Sequence, residues 1–351
     1  GDISLTGNLA AFPFEAEPDQ GQFDMVLNVE GLQLHYGPGW PDIIDVTGSV
    51  NGHNNLLKIY SEQGTISGFN FVKVQTNIDK YLKGKPILTV DGSLTGTTQQ
   101  ALDFLQQSPL QQRFGNAVES VSAQGTSDIQ LQLMVPLADV DNTETSGFVS
   151  FENSEFSYPD FANAAFTQVE GKLEFNNDGV SATDIKALLL DQQVTVDVEP
   201  LSTETLITIK GNVTTDNIAT LSGQVVPDFI SGNTAYKALL KVYEKQLGDF
   251  ELDASLESDL KGIMINLPAP LGKNTEQALP LNLSVEHYDN ELAYAAVYGN
   301  QLNAIMMPTS DGQWRGELRF GQGKAVLPKS GLAIKGQLDR LSIADWLAWQ
   351  S

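Results

Sequence analysis

Three short segments of the chain share one alternating pattern of apolar and polar residues. They are Leu88–Leu94, Ile207–Val213 and Leu332–Leu338, and they recur roughly every 120 residues. In each segment the apolar residues are two positions apart, and a glycine stands at the fifth position. A period of two predicts β-strands with one apolar and one polar face. Recurrence at a nearly constant spacing predicts a repeated structural unit built mainly from such strands.

The same alternation extends beyond the repeated segments. It is present at Phe23–Val29, Leu131–Val135 and Leu281–Val285, where polar residues separate the apolar ones. Turn-forming residues punctuate the strands, among them Asn51–Gly52 and Asn176–Gly179. Such residues favour tight hairpins between antiparallel strands. The pattern therefore predicts a mainly β fold, an elongated and twisted antiparallel sheet.

Helical spacing is confined to three stretches. Thr97–Gln107 and Asn233–Gln246 both have apolar residues three and four positions apart. Ser342–Gln350 starts with a residue that is favoured as a helix N-cap. We therefore expect two or three short helices beside the sheet.

The repeats predict how the chain is organised. Residues 1–87 would form a partial repeat, 88–206 and 207–331 two full repeats, and 332–351 the start of the next. The chain opens within a strand pattern, at Ile3–Leu9, and no stretch between the repeats has the composition of a linker. We therefore expect residues 1–351 to be one continuous repeat body, an internal segment of a longer protein.

Composition excludes several classes of function. The chain has 44 acidic and 20 basic residues and a net charge of −24 at pH 7. Nucleic-acid binding needs clusters of Lys and Arg, so we expect no nucleic-acid partner. Charge of one sign at this density favours a monomer. The chain has no cysteine, which excludes disulfides and thiolate metal sites. No apolar run approaches the ~20 residues that span a bilayer.

No pattern typical of catalysis is present. His35, His53 and His287 form no H-x-H, H-x-x-H or H-E-x-x-H spacing, so we expect no metal and no cofactor. There is no nucleophile elbow and no glycine-rich phosphate loop. The acidic stretch Asp139–Glu144 lacks the glycine and the distal glutamate of a calcium loop. We therefore expect a protein that is not an enzyme.

The apolar residues that share one face of each strand are compatible with two architectures. They fit the interior of a closed β-sandwich, and they fit an open groove whose apolar lining binds a hydrophobic ligand. A long repeated sheet with so few helices has too little material to cover both of its edges, which favours the groove. If the repeated strands keep one parity, the candidate lining is Val90, Leu94, Ile129, Leu131, Leu133, Val135, Ile207, Ile209, Val213, Ile263, Ile265, Leu267, Ile334 and Leu338.

Several segments resemble the YhdP branch of the AsmA-like bacterial envelope proteins. They are Leu5–Phe14, Tyr36–Pro41 with the following Asp45–Val50, Ala101–Leu110, and the run Leu131–Leu137 that ends in Val-Pro-Leu. The resemblance is spread over the whole chain and is clearest in the first 200 residues. These motifs are structural, and none of them is a catalytic fingerprint.

The resemblance implies a fold and a function. The fold would be a repeating β-groove, a twisted sheet folded like a taco around an apolar interior. The protein would lie in the periplasm of a Gram-negative bacterium, tethered to the inner membrane by a helix outside this segment. Its partners would be phospholipid and components of the inner and outer membranes. It would carry phospholipid between the two membranes and support the outer-membrane permeability barrier. The alternative is a structural or adhesive β-repeat module that binds protein or glycan through its loops.

Overall fold

The computed structural model describes residues 1–108, 111, 120–158, 164–246, 249–288, 291–309, 312–338 and 341–350. The chain divides into two compact units. Unit 1 comprises Gly1–Pro159 and Thr167–Ile185, and unit 2 comprises Asp160–Phe166 and Lys186–Ser351.

Unit 1 contains strands β1 to β8, nearly all of β9 and the first part of β10. Each strand from β1 to β7 pairs antiparallel with the next one along the chain, and β9 pairs with β10. The strands are β1 (Asp2–Gly7), β2 (Gly21–Leu34), β3 (Ile43–His53), β4 (Leu56–Ile66), β5 (Phe69–Asp79), β6 (Ile87–Thr97), β7 (Ser122–Pro136), β8 (Glu144–Ser157), β9 (Phe166–Asn176) and β10 (Gly179–Leu189).

Unit 2 contains the other ten strands. They are β11 (Gln192–Pro200), β12 (Glu204–Thr214), β13 (Ile230–Gln246), β14 (Asp249–Ser258), β15 (Ile263–Ile265), β16 (Leu281–Tyr288), β17 (Glu291–Tyr298), β18 (Leu302–Pro308), β19 (Trp314–Phe320) and β20 (Leu332–Gly336). Neighbours are antiparallel from β11 to β14 and from β16 to β19, and β14 pairs with β16. The short β15 pairs with the start of β13, and β20 runs parallel to β19.

The sheet is open. Among the described residues β1 pairs only with β2 and β20 only with β19, so no pairing joins the first strand to the last. Three helices lie within the described part of the chain: α1 (Thr98–Gln107), α2 (Thr215–Ser222) and α3 (Ile343–Gln350). Single 3-10 turns are at Leu9–Ala11, Pro18–Gln20 and Val140–Asn142. The prediction of a mainly β fold with an open sheet and two or three short helices is confirmed.

The predicted helix at Asn233–Gln246 is wrong. This stretch lies in β13, which pairs with β12 on one side and β14 on the other. Pairing on both sides satisfies its backbone and overrides a helical spacing of apolar residues. The helix instead follows β12 at once as α2, and the Thr214 side chain accepts a hydrogen bond from the backbone N–H of Asn217. The Asn217 side chain bonds back to the backbone N–H of Thr214, which completes a capping box.

The predicted first and third helices are confirmed. Thr97 caps α1 through a capping box with Gln100, and the Ser342 hydroxyl accepts a hydrogen bond from the Asp345 N–H at 3.3 Å. Each of the three repeated strands is therefore followed by a short helix. One predicted turn is misplaced, because Asn51–Gly52 lies within β3 and the chain turns two residues later, at Asn54 and Asn55.

Candidate functional site

In unit 1 the strand register gathers apolar side chains on one face of the sheet. Residues directly opposite each other on neighbouring strands project to the same face. Val90 on β6 is opposite Leu133 on β7, and from Val90 a row runs across β5 to Ile59, Val50 and Leu27. The apolar face of unit 1 comprises Ile3, Leu5, Phe23, Met25, Leu27, Val29, Val50, Leu57, Ile59, Val74, Ile78, Leu88, Val90, Leu94, Ile129, Leu131, Leu133, Val135 and Val149.

Residues of the opposite parity are mostly polar in the same strands. They include Asn77 on β5, Thr89 and Asp91 on β6, and Gln130 and Gln132 on β7. One face of the sheet is therefore apolar and the other face is polar.

Unit 2 has a corresponding face. Ile209 on β12 is opposite Val196 on β11 and Ala238 on β13, and its row continues through Leu256 and reaches Ile334 on β20. The apolar face of unit 2 comprises Val194, Val196, Val198, Ile207, Ile209, Val213, Ala238, Leu240, Val242, Leu252, Ala254, Leu256, Leu281, Leu283, Val285, Tyr294, Ala296, Tyr298, Leu302, Ala304, Met306, Leu318, Phe320, Leu332 and Ile334.

Neither face is buried in the way that a sandwich interior is. The two inner faces of a sandwich interdigitate and exclude water from both. Every residue of the apolar face of unit 1 keeps part of its surface exposed, and on the apolar face of unit 2 only Val194 and Tyr298 are buried. The side chains therefore pack beside each other within one layer while their outer ends stay accessible.

The structure divides the candidate lining residues between these surfaces. Val90, Leu94, Ile129, Leu131, Leu133 and Val135 lie together on the apolar face of unit 1, all half-buried. Ile207, Ile209, Val213 and Ile334 lie on the apolar face of unit 2. Ile334 is 73% exposed because it lies on the last strand of the sheet. Leu338 follows β20 and is half-buried.

Ile263, Ile265 and Leu267 have a different environment. Ile263 is 3% exposed and forms a local core with Leu260, Leu279 and Tyr298. Ile265 packs against this core, and Leu267 follows β15 and is half-buried. Because Tyr298 belongs to the apolar face of unit 2, the local core covers the end of that face at which β17 terminates.

Lys273 holds this local core in place. Its Nζ donates hydrogen bonds to the carbonyl oxygens of Leu260 at 2.8 Å, Ile263 at 2.5 Å and Asn274 at 2.9 Å. The residue is only 4% exposed, and burial lowers the pKa of its ammonium group. Three carbonyl acceptors replace the water that the ammonium loses, which ties the connecting segment to the strands.

Helix α1 covers one end of the apolar face of unit 1. The Thr98 hydroxyl is 2.9 Å from the hydroxyl of Ser127 on β7 and 2.9 Å from that of Ser154 on β8. Ser127 has the same parity as Ile129, so the helix is fixed at the end of the face. The Phe104 ring lies 6.0 Å from that of Trp40, which joins the loop between β2 and β3 to the helix.

The lining predicted from sequence contained no residue of β2 to β5, although the strand pairing places residues of these strands on the apolar face of unit 1. Leu27, Val50, Ile59 and Val74 are in line with Val90 or next to its row. Alternation at Phe23–Val29 was a sufficient signal for β2. For β3 to β5 the signal was weaker, because glycine, serine and threonine interrupt the apolar positions. Among the described residues, no helix is long and apolar enough to cross a membrane.

Comparison with known proteins identifies the family. The chain is 22% identical over 304 residues to the intermembrane phospholipid transporter YhdP of Escherichia coli (strain K12). The aligned region covers 85% of this chain and 24% of that protein, so the chain spans about a quarter of the length of this relative. No solved structure is significantly similar to the chain. The family model described as YhdP protein matches residues 1–351, and the chain therefore belongs to the YhdP family.

Proposed function

We propose that this chain is a segment of a periplasmic protein that carries phospholipid between the inner and outer membranes. The lipid acyl chains would lie on the apolar faces of its sheet. The observation that carries the proposal is an apolar face, open along its strands, in a chain with a net charge of −24. Exposed apolar surface of this extent is typical of a binding site. The name of the E. coli relative supports phospholipid as the ligand.

The energetics of lipid transfer favour such a surface. Each methylene that leaves a membrane for water costs about 0.8 kcal/mol, so a diacyl lipid faces a barrier on the order of 20 kcal/mol. An apolar face that accepts the acyl chains as they leave removes most of that barrier. This role needs no bond making or breaking, and therefore no catalytic residue or cofactor.

The fourteen candidate lining residues remain part of the proposal. Those of unit 1 and the four on the apolar face of unit 2 would contact acyl chains directly. Ile263 and Ile265 would instead support the local core at the end of the face. In the full-length protein, a helix outside this segment would tether the body to the inner membrane, and transport would maintain the outer-membrane barrier. The segment itself would act as a monomer.

Two adjacent residues on β7 allow a matched test. Leu133→Asp places a carboxylate on the apolar face, whereas Met134→Asp places one on the opposite face of the same strand. Both proteins are purified without detergent, and bound lipid is extracted and quantified by mass spectrometry. A carboxylate beside an acyl chain costs a few kcal/mol, so we expect Leu133→Asp to lose phospholipid at least about tenfold. Wild-type and Met134→Asp should both retain near-stoichiometric phospholipid.

A second variant covers the case in which Leu133→Asp does not fold. A Cβ atom on Gly92 would meet only Val74 Cγ2, at 3.9 Å, so Gly92→Leu adds bulk above the face without charge. We expect it to fold and to bind less phospholipid. Folded proteins that are all free of lipid, and that reject added fluorescent phospholipid, would contradict the proposal and support a structural β-repeat module.

A further inference from the structure

The loop between β5 and β6 concentrates positive charge in an acidic chain. Lys80, Lys83 and Lys85 fall within six residues, although the whole chain has only 20 basic residues against 44 acidic ones. All three side chains are exposed, and none forms an ion pair with a described residue. The nearest acidic residue in the sequence is Asp79, at the end of β5. Grouped ammonium groups raise the local potential and attract an anion.

Asn55 holds this loop in one conformation. Its Oδ1 accepts hydrogen bonds from the backbone N–H groups of Leu82 at 3.0 Å and Lys83 at 3.1 Å. Its Nδ2 donates to the Lys83 carbonyl oxygen at 2.7 Å and to the Glu15 carboxylate at 2.6 Å. Asn55 is only 3% exposed, so the backbone that presents the lysines is fixed by a buried group. A loop that is ordered before binding loses less entropy when a ligand arrives.

Tyr81 places a hydroxyl group over the end of the apolar face of unit 1. The phenol oxygen lies 3.0 Å from the position that a Cβ atom on Gly52 would occupy. Gly52 is opposite Met25 on β2 and Leu57 on β4, both of which belong to that face. The hydroxyl is buried and has no hydrogen-bond partner among the described residues. A buried hydroxyl without a partner costs about 1–3 kcal/mol, so it is poised to donate to a ligand oxygen.

We propose that this end of the apolar face binds the phosphate-bearing headgroup of a phospholipid whose acyl chains lie on the face. The Tyr81 hydroxyl would donate to a phosphate oxygen at the junction of headgroup and acyl chains. Lys80, Lys83 and Lys85 would surround the phosphate and favour lipids with a net negative charge. This inference rests on the proposed function, because it requires acyl chains on the face. It adds that the bound lipid has one fixed orientation, in which the headgroup faces the β5–β6 loop.

Three probes with the same fluorescent acyl chain test the proposal: phosphatidylglycerol, phosphatidylcholine and diacylglycerol. Binding is measured for wild-type, for the triple variant Lys80→Gln, Lys83→Gln, Lys85→Gln, and for Tyr81→Phe. The control is Lys58→Gln with Lys73→Gln, two exposed lysines of the same unit that lie outside the loop. We expect the triple variant to lose at least about tenfold in affinity for phosphatidylglycerol and nothing for diacylglycerol.

The Tyr81→Phe variant distinguishes an effect on lipid binding from an effect on the stability of the fold. It should weaken both phospholipids about threefold or more and leave diacylglycerol unchanged, since the lost donor serves the headgroup region. Because it removes an unpartnered hydroxyl, it should not lower the urea midpoint of unfolding.

The outcomes distinguish this proposal from the function on which it rests. Wild-type that binds none of the three probes would contradict the proposed function itself. Equal affinities for the triple variant and the lysine control would overturn the headgroup site alone. Loss of binding to phosphatidylglycerol vesicles, with unchanged binding of the monomeric probe, would also overturn it and assign the loop to the membrane surface. Competition by inorganic phosphate as strong as that by lipid would show an anion site unconnected with the acyl chains, which overturns it too.

Discussion

Two glycines on the apolar face of unit 1 have different physical roles. Gly92 and Gly147 are both opposite Leu131, one on each side of β7. A Cβ atom on Gly92 would have only Val74 Cγ2 within 4 Å, at 3.9 Å. One on Gly147 would lie 2.1 Å from the Gln130 carbonyl oxygen and 2.6 Å from the Phe175 ring. Gly92 leaves free space above the face, whereas Gly147 allows close approach of backbone and an aromatic ring.

Alanine at these positions should change stability in opposite directions. Gly92→Ala should raise the free energy of unfolding by about 0.5–1 kcal/mol, because alanine loses less conformational entropy on folding. Gly147→Ala should lower it by about 1–3 kcal/mol, because backbone and ring must move to admit the methyl group. Urea denaturation of the two variants measures both values. Equal destabilisation of both would show that Gly92 is not open above the face.

Helix α1 depends on a small buried network of hydroxyl groups. Thr98, Ser127 and Ser154 are 1%, 2% and 0% exposed, and the Ser154 hydroxyl also donates to the Thr126 carbonyl oxygen at 3.2 Å. Buried polar groups of this kind are stabilising only when each has a partner. The network connects the helix to β7 and β8, and the N-cap at Thr97 orders its first turn.

Thr98→Val should loosen α1 selectively. The substitution keeps the shape but leaves two buried serine hydroxyls with one partner fewer, which costs about 1–2 kcal/mol. Hydrogen exchange of the α1 amides should therefore accelerate about tenfold. Thr95→Val, three residues earlier on β6, is the matched control and should leave the exchange of α1 unchanged. If both variants exchange alike, the hydroxyl network does not anchor the helix.

Each unit carries charged residues on the face opposite its apolar face. In unit 2, Glu317 on β19 is fully buried there, and its carboxylate accepts hydrogen bonds from Lys335 Nζ and Arg319 Nε, both at 2.8 Å. The hydrogen bond from Lys335, together with Arg319, lowers the pKa of Glu317. Hydrogen bonds from His53 and His35 likewise lower the pKa values of Asp24 and Asp42 in unit 1.

Acid should remove the stability that Glu317 contributes. A carboxyl group whose pKa is lower in the folded state stabilises above its unfolded pKa of about 4.3, and this contribution is lost as the pH falls through the folded pKa. The difference in free energy of unfolding between wild-type and Glu317→Gln should therefore be largest near pH 6–7 and shrink below about pH 4. Urea denaturation across this range measures it.

The exposed Glu257 provides the control for the acid experiment. Glu257→Gln removes a carboxylate from the same polar face, so it corrects for the general effect of reducing the net negative charge. We expect the difference in free energy of unfolding between wild-type and Glu257→Gln to change little with pH, because an exposed carboxylate contributes little to stability. If the free energies of unfolding of wild-type and Glu317→Gln differ by the same amount at all pH values, the Glu317 carboxylate has no role in acid sensitivity.

A large part of the fold could be predicted from alternation alone. A period of two places apolar residues on one face whatever the partner strands are, which is why the segments around Val90, Ile209 and Ile334 were correctly assigned as strands. The capping residues Thr97 and Ser342 also acted locally, so α1 and α3 were predicted. The boundaries of the repeats stay a prediction.

The prediction failed where long-range pairing competes with local spacing. Asn233–Gln246 has helical spacing, but hydrogen bonds to β12 and β14 decide its conformation. Ile129 and Ile263 were both predicted to line the groove, yet Ile129 lies in a long strand and Ile263 in a local core around Tyr298. The two isoleucines thus have different environments because different strands and loops pack around them.

By itself, the sequence determined that the chain forms strands with one apolar face, that it is strongly acidic, and that it carries no familiar catalytic motif. Only the tertiary structure decided which strands are neighbours, that the apolar faces remain partly exposed, and that Tyr81 lies above Gly52. The physical reason is that alternation specifies which side chains share a face but contains no information on what covers that face. Coverage depends on contacts between residues far apart in the chain, and these exist only once the sheet has formed.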